Sequence, residues 1–181
     1  NIGPQGLKSR WWSTSFADFD NDGYLDLVAT RTDGRPLLFK NREGSSFVEV
    51  GRDHNITVGD NRPDCDLKNA VWWDHDTDGD ADLYVAGRKC HAFYENTGGG
   101  FVDATQRIFG SILPPERPEV FTAGVEDFNQ DGNEDLYLGR WDQQDYILIN
   151  QGDGSVVLRG REFGLDMAIG DDPLENTMGC G

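Results

Sequence analysis

One nine-residue stretch is written three times in this chain, and it restricts the fold more than any other feature. It reads Asp18-Phe19-Asp20-Asn21-Asp22-Gly23-Tyr24-Leu25-Asp26, then Asp74-His75-Asp76-Thr77-Asp78-Gly79-Asp80-Ala81-Asp82. It returns as Asp127-Phe128-Asn129-Gln130-Asp131-Gly132-Asn133-Glu134-Asp135. Carboxylate or amide oxygens fall at positions 1, 3, 5 and 9, with glycine at position 6. A hard divalent cation needs several oxygens brought together by a loop that turns sharply. Calcium suits such a loop better than magnesium, which keeps its waters and is seldom caged by protein alone. A single copy would pass as a solvated acidic turn. Three copies in one oxygen register point to metal.

The flanks decide what kind of loop this is. A helix-loop-helix calcium site would continue to a bidentate glutamate at position 12. Position 12 here is Ala29, Val85 and Leu138. After each loop come Leu25-Asp26-Leu27-Val28, Ala81-Asp82-Leu83-Tyr84-Val85 and Glu134-Asp135-Leu136-Tyr137-Leu138, short stretches that read as strand. Each acidic loop is therefore expected to join two strands of a hairpin.

The loops recur after 56 and then 53 residues, a period that belongs to solenoids, arrays or propellers. Each unit offers four strand-like runs. They lie at 13–19, 24–30, 36–41 and 46–51 in the first, and at 69–73, 81–86, 91–95 and 100–104 in the second. In the third they lie at 121–126, 134–139, 146–150 and 155–159. Four short antiparallel strands, repeated, make a propeller blade. The expected fold is all-β: one domain over 1–181, with blades at about 11–68, 69–119 and 120–176. Residues 177–181 would open a fourth. Three blades and a stub do not close a ring. Further blades are expected from the same longer chain or from other copies. The links at 52–68, 106–119 and 160–176 are more polar, and Pro114, Pro115 and Pro118 make the second read as extended rather than helical.

Composition narrows the function. The net charge is −17, and the three loops hold twelve of the aspartates. Such a chain is a poor partner for nucleic acid or an anionic membrane. No apolar run approaches eighteen residues, so no membrane insertion is expected. Aromatic residues make up 11% of the chain, which separates it from disordered acidic tails. Three cysteines are too few for a disulfide scaffold and fit no zinc spacing; export would permit a Cys65–Cys90 bridge, which the sequence leaves open, and Cys180 reads as a small core residue.

The three loops, with the apolar residues after them and then Leu38-Phe39-Lys40-Asn41, Phe93-Tyr94-Glu95-Asn96 or Leu148-Ile149-Asn150, resemble the FG-GAP/VCBS repeats of integrin α-subunit-type β-propellers. The resemblance implies a calcium ion in each loop, three in all. The implied ligands are Asp18, Asp20, Asp22, Asp26 and the Tyr24 carbonyl. In the second loop they are Asp74, Asp76, Asp78, Asp82 and the Asp80 carbonyl, and in the third Asp127, Asn129, Asp131, Asp135 and the Asn133 carbonyl. Asn129 stands where the other loops carry aspartate, so the third site is expected to be the weakest.

Catalysis finds little footing, and no enzyme is expected. His75 is expected to point outward from its loop. His54, His91, Ser13, Ser15, Ser45 and Ser46 lie in strands or turns, and no Gly-x-Ser-x-Gly motif occurs. The resemblance places recognition on the face opposite the metal loops. Arg88, Lys89, Arg140 and Trp141 are the candidates there, suited to a sugar or an acidic peptide. Equally, the cations would balance an acidic fold while Trp141 packs between blades. Trp11, Trp12, Trp72 and Trp73 read as core or blade-to-blade packing. The function expected is a calcium-stabilised recognition or adhesion module for a protein or glycan ligand: extracellular, on the cell surface or periplasmic. The alternatives are a structural or assembly unit of a larger secreted protein or filament, or the ancillary propeller of a polysaccharide-active enzyme.

Overall fold

The computed structural model describes residues 11–31, 34–60, 62, 64–110, 112–113, 118–141 and 143–164. Pro114, Pro115, Asp142, Cys180 and the fourth unit expected at 177–181 lie outside them.

The chain folds into three four-stranded antiparallel sheets, each taking its strands in sequence order. The first holds β1 (Trp11–Ala17), β2 (Asp26–Arg31), β3 (Leu37–Asn41) and β4 (Phe47–Glu49). The second holds β5 (Leu67–Trp73), β6 (Asp82–Gly87), β7 (Ala92–Asn96) and β8 (Phe101–Asp103). The third holds β9 (Val120–Glu126), β10 (Asp135–Arg140), β11 (Tyr146–Asn150) and β12 (Val156–Leu158). β1 lies beside β5 and β5 beside β9, so the sheets face one another through their first strands. These are the propeller-type blades the repeat implies.

Each first hairpin closes on the register of its acidic loop: Ala17 opposite Asp26, Trp73 opposite Asp82, and Glu126 opposite Asp135. The loop is thus the hairpin's turn. An irregularity of register sits at the far end of each pair, at Trp11/Thr14, Leu67/Asn69 and Gly139/Arg140.

Period-2 alternation of the strands splits the core into two layers. Along β6, Leu83 and Val85 join Val28, Leu38 and Phe101 between the first two sheets. Tyr84 and Ala86 point the other way, toward Leu136, Leu138 and Phe93 between the second and third. With both faces covered, every residue of β6 is buried. At about 1.5–3 kcal/mol per large apolar side chain removed from water, Tyr84, Phe93 and Trp73 anchor the second layer.

Two links depart from expectation. A five-residue helix, α1 (Thr105–Phe109), opens the second link and plugs Ile108 and Phe109 into the second core layer. The prolines that read as extended all lie downstream and leave this turn free. A 3₁₀ turn (Gly160–Phe163) likewise opens the third link. The first link is pinned to the second sheet by Tyr94, whose hydroxyl accepts the N–H groups of Thr57 and Val58 (3.1 and 2.7 Å). Cys65 and Cys90 form a disulfide, with their Cα atoms 5.3 Å apart. No helix among the described residues is long and apolar enough to cross a membrane.

Candidate metal loops and the opposite face

The three acidic loops share one backbone path. Positions 4 and 6 both take positive φ: Asn21 (57°) and Gly23 (90°), Thr77 (60°) and Gly79 (89°), Gln130 (61°) and Gly132 (94°). A Cβ at any of these three glycines would meet nothing within 4 Å. Glycine is there for its backbone angle, not for space.

That path turns the backbone amides onto the first carboxylate. The glycine N–H at position 6 donates to the aspartate at position 1 in every loop: Gly23 to Asp18 (2.7 Å), Gly79 to Asp74 (3.1 Å) and Gly132 to Asp127 (2.9 Å). The position-7 N–H donates to the position-5 aspartate: Tyr24 to Asp22, Asp80 to Asp78, and Asn133 to Asp131, at 2.9–3.0 Å. The carboxylates are thereby gathered rather than splayed. Asp18, Asp20 and Asp22 each bring an oxygen within 4.8 Å of the others, as do Asp74, Asp76 and Asp78.

The aspartate at position 9 has a second task. Asp26, Asp82 and Asp135 are buried. One oxygen accepts the N–H of position 2, from Phe19, His75 or Phe128. The other accepts the N–H of Asn41, Asn96 or Asn150, the last residue of the third strand. Burial pushes the Asp26 and Asp135 carboxyls above the usual range, against the pull of these amides. Burial also raises Asp76, helped by the charges of Asp78 and Asp82.

The donor set fits a hard cation. It is all oxygen, crowded and anionic, and Asp74 Oδ1 is a buried acceptor that no donor among the described residues reaches. The third loop differs as its sequence implies. Asn129 donates its amide to Asp131 Oδ2 (2.7 Å) and accepts the Asp131 N–H (3.0 Å), so it adds an oxygen without a charge. His75 does not point outward. It is fully buried, with Nδ1 2.9 Å from Asp82 Oδ2 and its ring edge-on to Phe93 at 4.8 Å. The aromatic face of the second sheet offers burial that no loop-level reading could foresee.

The loops are also bolted to the neighbouring sheet, which sequence reasoning missed. The Asn96 amide donates to the carbonyls of Phe19 (2.7 Å) and Ala81 (3.2 Å), joining its own loop to the preceding one. Asn150 repeats this one unit later, on His75 (2.7 Å) and Glu134 (3.2 Å). Asn21 reaches Asp80 (2.7 Å), and Trp73 Nε1 reaches the Glu134 carbonyl (2.8 Å). Ser13 serves a similar end between β1 and β5, accepting the Ala70 N–H at 3.2 Å. The signal was present: an asparagine closes the third strand of every unit, at 41, 96 and 150.

The far ends of the sheets gather cations and rings. Lys68 Nζ lies 3.9 Å from the centre of the Trp12 ring and 5.4 Å from that of Phe121. Phe121 stacks on Trp141 at 4.8 Å, and the Arg88 guanidinium lies 5.8 Å from the same ring. Lys68 pairs with Asp66 and Arg88 with Glu119. Lys89 accepts an Arg62 hydrogen bond on its carbonyl. Arg140 is turned inward and is buried, donating to the Pro118 carbonyl and to Gln143 and lying 4.4 Å from the Tyr146 ring centre. Trp73 is buried and Trp72 packs against the first core layer, as expected. Trp11 and Trp12 are not core: at the irregular start of β1 they are 45% and 51% exposed.

The FG-GAP repeat family model matches residues 10–48, which span the first sheet and its loop. That stretch is similar to an FG-GAP repeat, and the second and third sheets repeat its strand order and loop path. Repeats of this family are generally non-enzymatic. No curated protein matches the chain.

Proposed function

We propose that this chain is a calcium-clamped β-propeller module that works outside the cytosol in recognition or adhesion, with no chemistry of its own. The observation that carries this reading is the threefold loop. Three hairpin turns share one backbone path, two of them bring three carboxylates together, and those two are bolted to the next sheet. The residues that would hold the ions are those at positions 1, 3, 5 and 9, with the position-7 carbonyl. Bound calcium supplies the positive charge that offsets carboxylate repulsion at the turn. If each site binds near ~10 μM and the medium holds about 1 mM calcium, linkage adds roughly 2.7 kcal/mol per site.

The Cys65–Cys90 disulfide supports an oxidising compartment, extracellular or periplasmic. The row Trp12, Lys68, Phe121, Trp141 and Arg88 supports recognition at the end away from the loops, where stacking rings and cations suit a glycan or an acidic peptide. The pairing of Lys68 and Arg88 with Asp66 and Glu119 favours a second reading, a structural or assembly unit whose cations serve the fold.

Calorimetric titration of calcium into the chelator-stripped chain tests the first part. Three bound ions and a higher Tm are expected, and no uptake overturns it. Glycan-array binding that is lost in Trp141→Ala separates recognition from assembly.

A further inference from the structure

We infer that Lys40 is a tethered cation that stands in for calcium in the first loop, so that the first hairpin is held shut whether or not metal is present. This rests on the reading of the loops as calcium sites. The lysine leaves the third strand of the first sheet and brings its ammonium onto two carboxylates of the loop. It contacts Asp20 Oδ2 closely and lies 2.9 Å from Asp22 Oδ2. These are positions 3 and 5 of the nine-residue stretch, two of the side chains that would hold the ion. The Lys40 side chain is 19% exposed, so its charge is applied to the loop rather than to solvent.

Among the described residues, the other two loops have no such group. Lys40 immediately precedes Asn41, the residue whose N–H is held by Asp26. The residue preceding Asn96 is Glu95, an anion engaged by Arg107 at 2.7 Å. The residue preceding Asn150 is Ile149, which is buried and apolar. Local charge therefore differs from loop to loop. The second loop carries five aspartates with no lysine on them, whereas the first carries four with an ammonium on two.

Two consequences follow from elementary electrostatics. Without metal, the ammonium offsets the mutual repulsion of Asp18, Asp20 and Asp22, while the carboxylates of the second loop have no lysine or arginine on them among the described residues. With metal, calcium must displace a cation that cannot diffuse away and whose effective concentration is set by its own backbone. Divalent charge wins, but only at a higher concentration. The first loop is thus calcium-tolerant where the second is calcium-dependent.

The three position-6 glycines make the test site-resolved, since each amide donates to its own loop's first aspartate. Their NMR signals are followed through a calcium titration of the 181-residue chain, of Lys40→Met and of Lys40→Arg. In Lys40→Met the Gly23 midpoint should move to about tenfold lower calcium, with Gly79 and Gly132 unmoved. In Lys40→Arg, which keeps the charge, it should stay near the parent. Metal-free amide exchange at Gly23 should speed up at least about tenfold in Lys40→Met alone. An unmoved Gly23 midpoint, or a Lys40→Arg that behaves as Lys40→Met, overturns the inference while leaving calcium binding intact. If no glycine responds to calcium in any protein, the calcium reading fails. The metal-free exchange rates then decide the tether alone: unchanged Gly23 exchange in Lys40→Met overturns it.

Discussion

Asn129 shows how much one atom weighs in these loops. Its amide holds Asp131 at both ends, so the third loop keeps its shape with one carboxylate fewer. Asn129→Asp exchanges the amide donor for a charge. Calcium affinity at that loop should rise by about tenfold, read from the Gly132 amide or from the weakest step in calorimetry. Unchanged affinity would mean that the carbonyl oxygen alone sets the site. The oxygen pattern was legible from sequence because a loop's carboxylates lie within nine residues and its turn is marked by glycine. His75 was not legible. Its orientation depends on Trp73, Phe93 and Asp82, which surround it only once three strands have paired. Lys40 was hidden for the same reason, being twenty residues from the carboxylate it meets.

At the scale of the element, the hairpin is closed from inside by the aspartate that ends each loop. Asp82 accepts three bonds: the His75 N–H (3.1 Å), His75 Nδ1 (2.9 Å) and the Asn96 N–H (2.7 Å). Asp82→Ala leaves those groups buried without an acceptor. The loss should be about 3 kcal/mol in urea unfolding, even with calcium absent. A loss below about 1 kcal/mol would assign the residue to metal binding alone. Strand positions were legible to within two residues or so, because alternation survives in short strands. Tyr146–Asn150 matched the expected run at both ends. α1 was overlooked because five residues are too few to show a helical period, and the prolines beyond them dominated the reading.

Across the whole molecule, stability against pH hangs on a residue far from the loops. His91 is buried against Tyr84 and Phe109, and burial drives its pKa down to about 4, with the Asp103 charge pulling weakly the other way. A histidine depressed in the folded state favours the unfolded chain once protonation begins. Its contribution is intact above the ordinary value of 6.5 and is lost as pH falls toward 4. Between pH 7 and 5 the chain should lose about 2 kcal/mol that His91→Leu does not lose. Asp26, Asp76 and Asp135, raised by burial, act in the opposite sense, and they cancel in the comparison of the two proteins. Equal slopes would remove His91 from the account. The architecture itself was legible from the period of the loops. The distribution of exposed rings was not, since Trp11 and Trp12 stand at the irregular start of β1.

The asparagine bolts draw a wiring diagram for the molecule. Asn96 reads the first loop and Asn150 reads the second, so among the described residues these two turns are each sensed by the sheet that follows. A chain wired this way behaves as a line of nearest neighbours. News of an ion, were one held in the second loop, would have a direct route to the seat of the third sheet, through the His75 carbonyl. Among the described residues, the first and third loops share no hydrogen bond through which to exchange it.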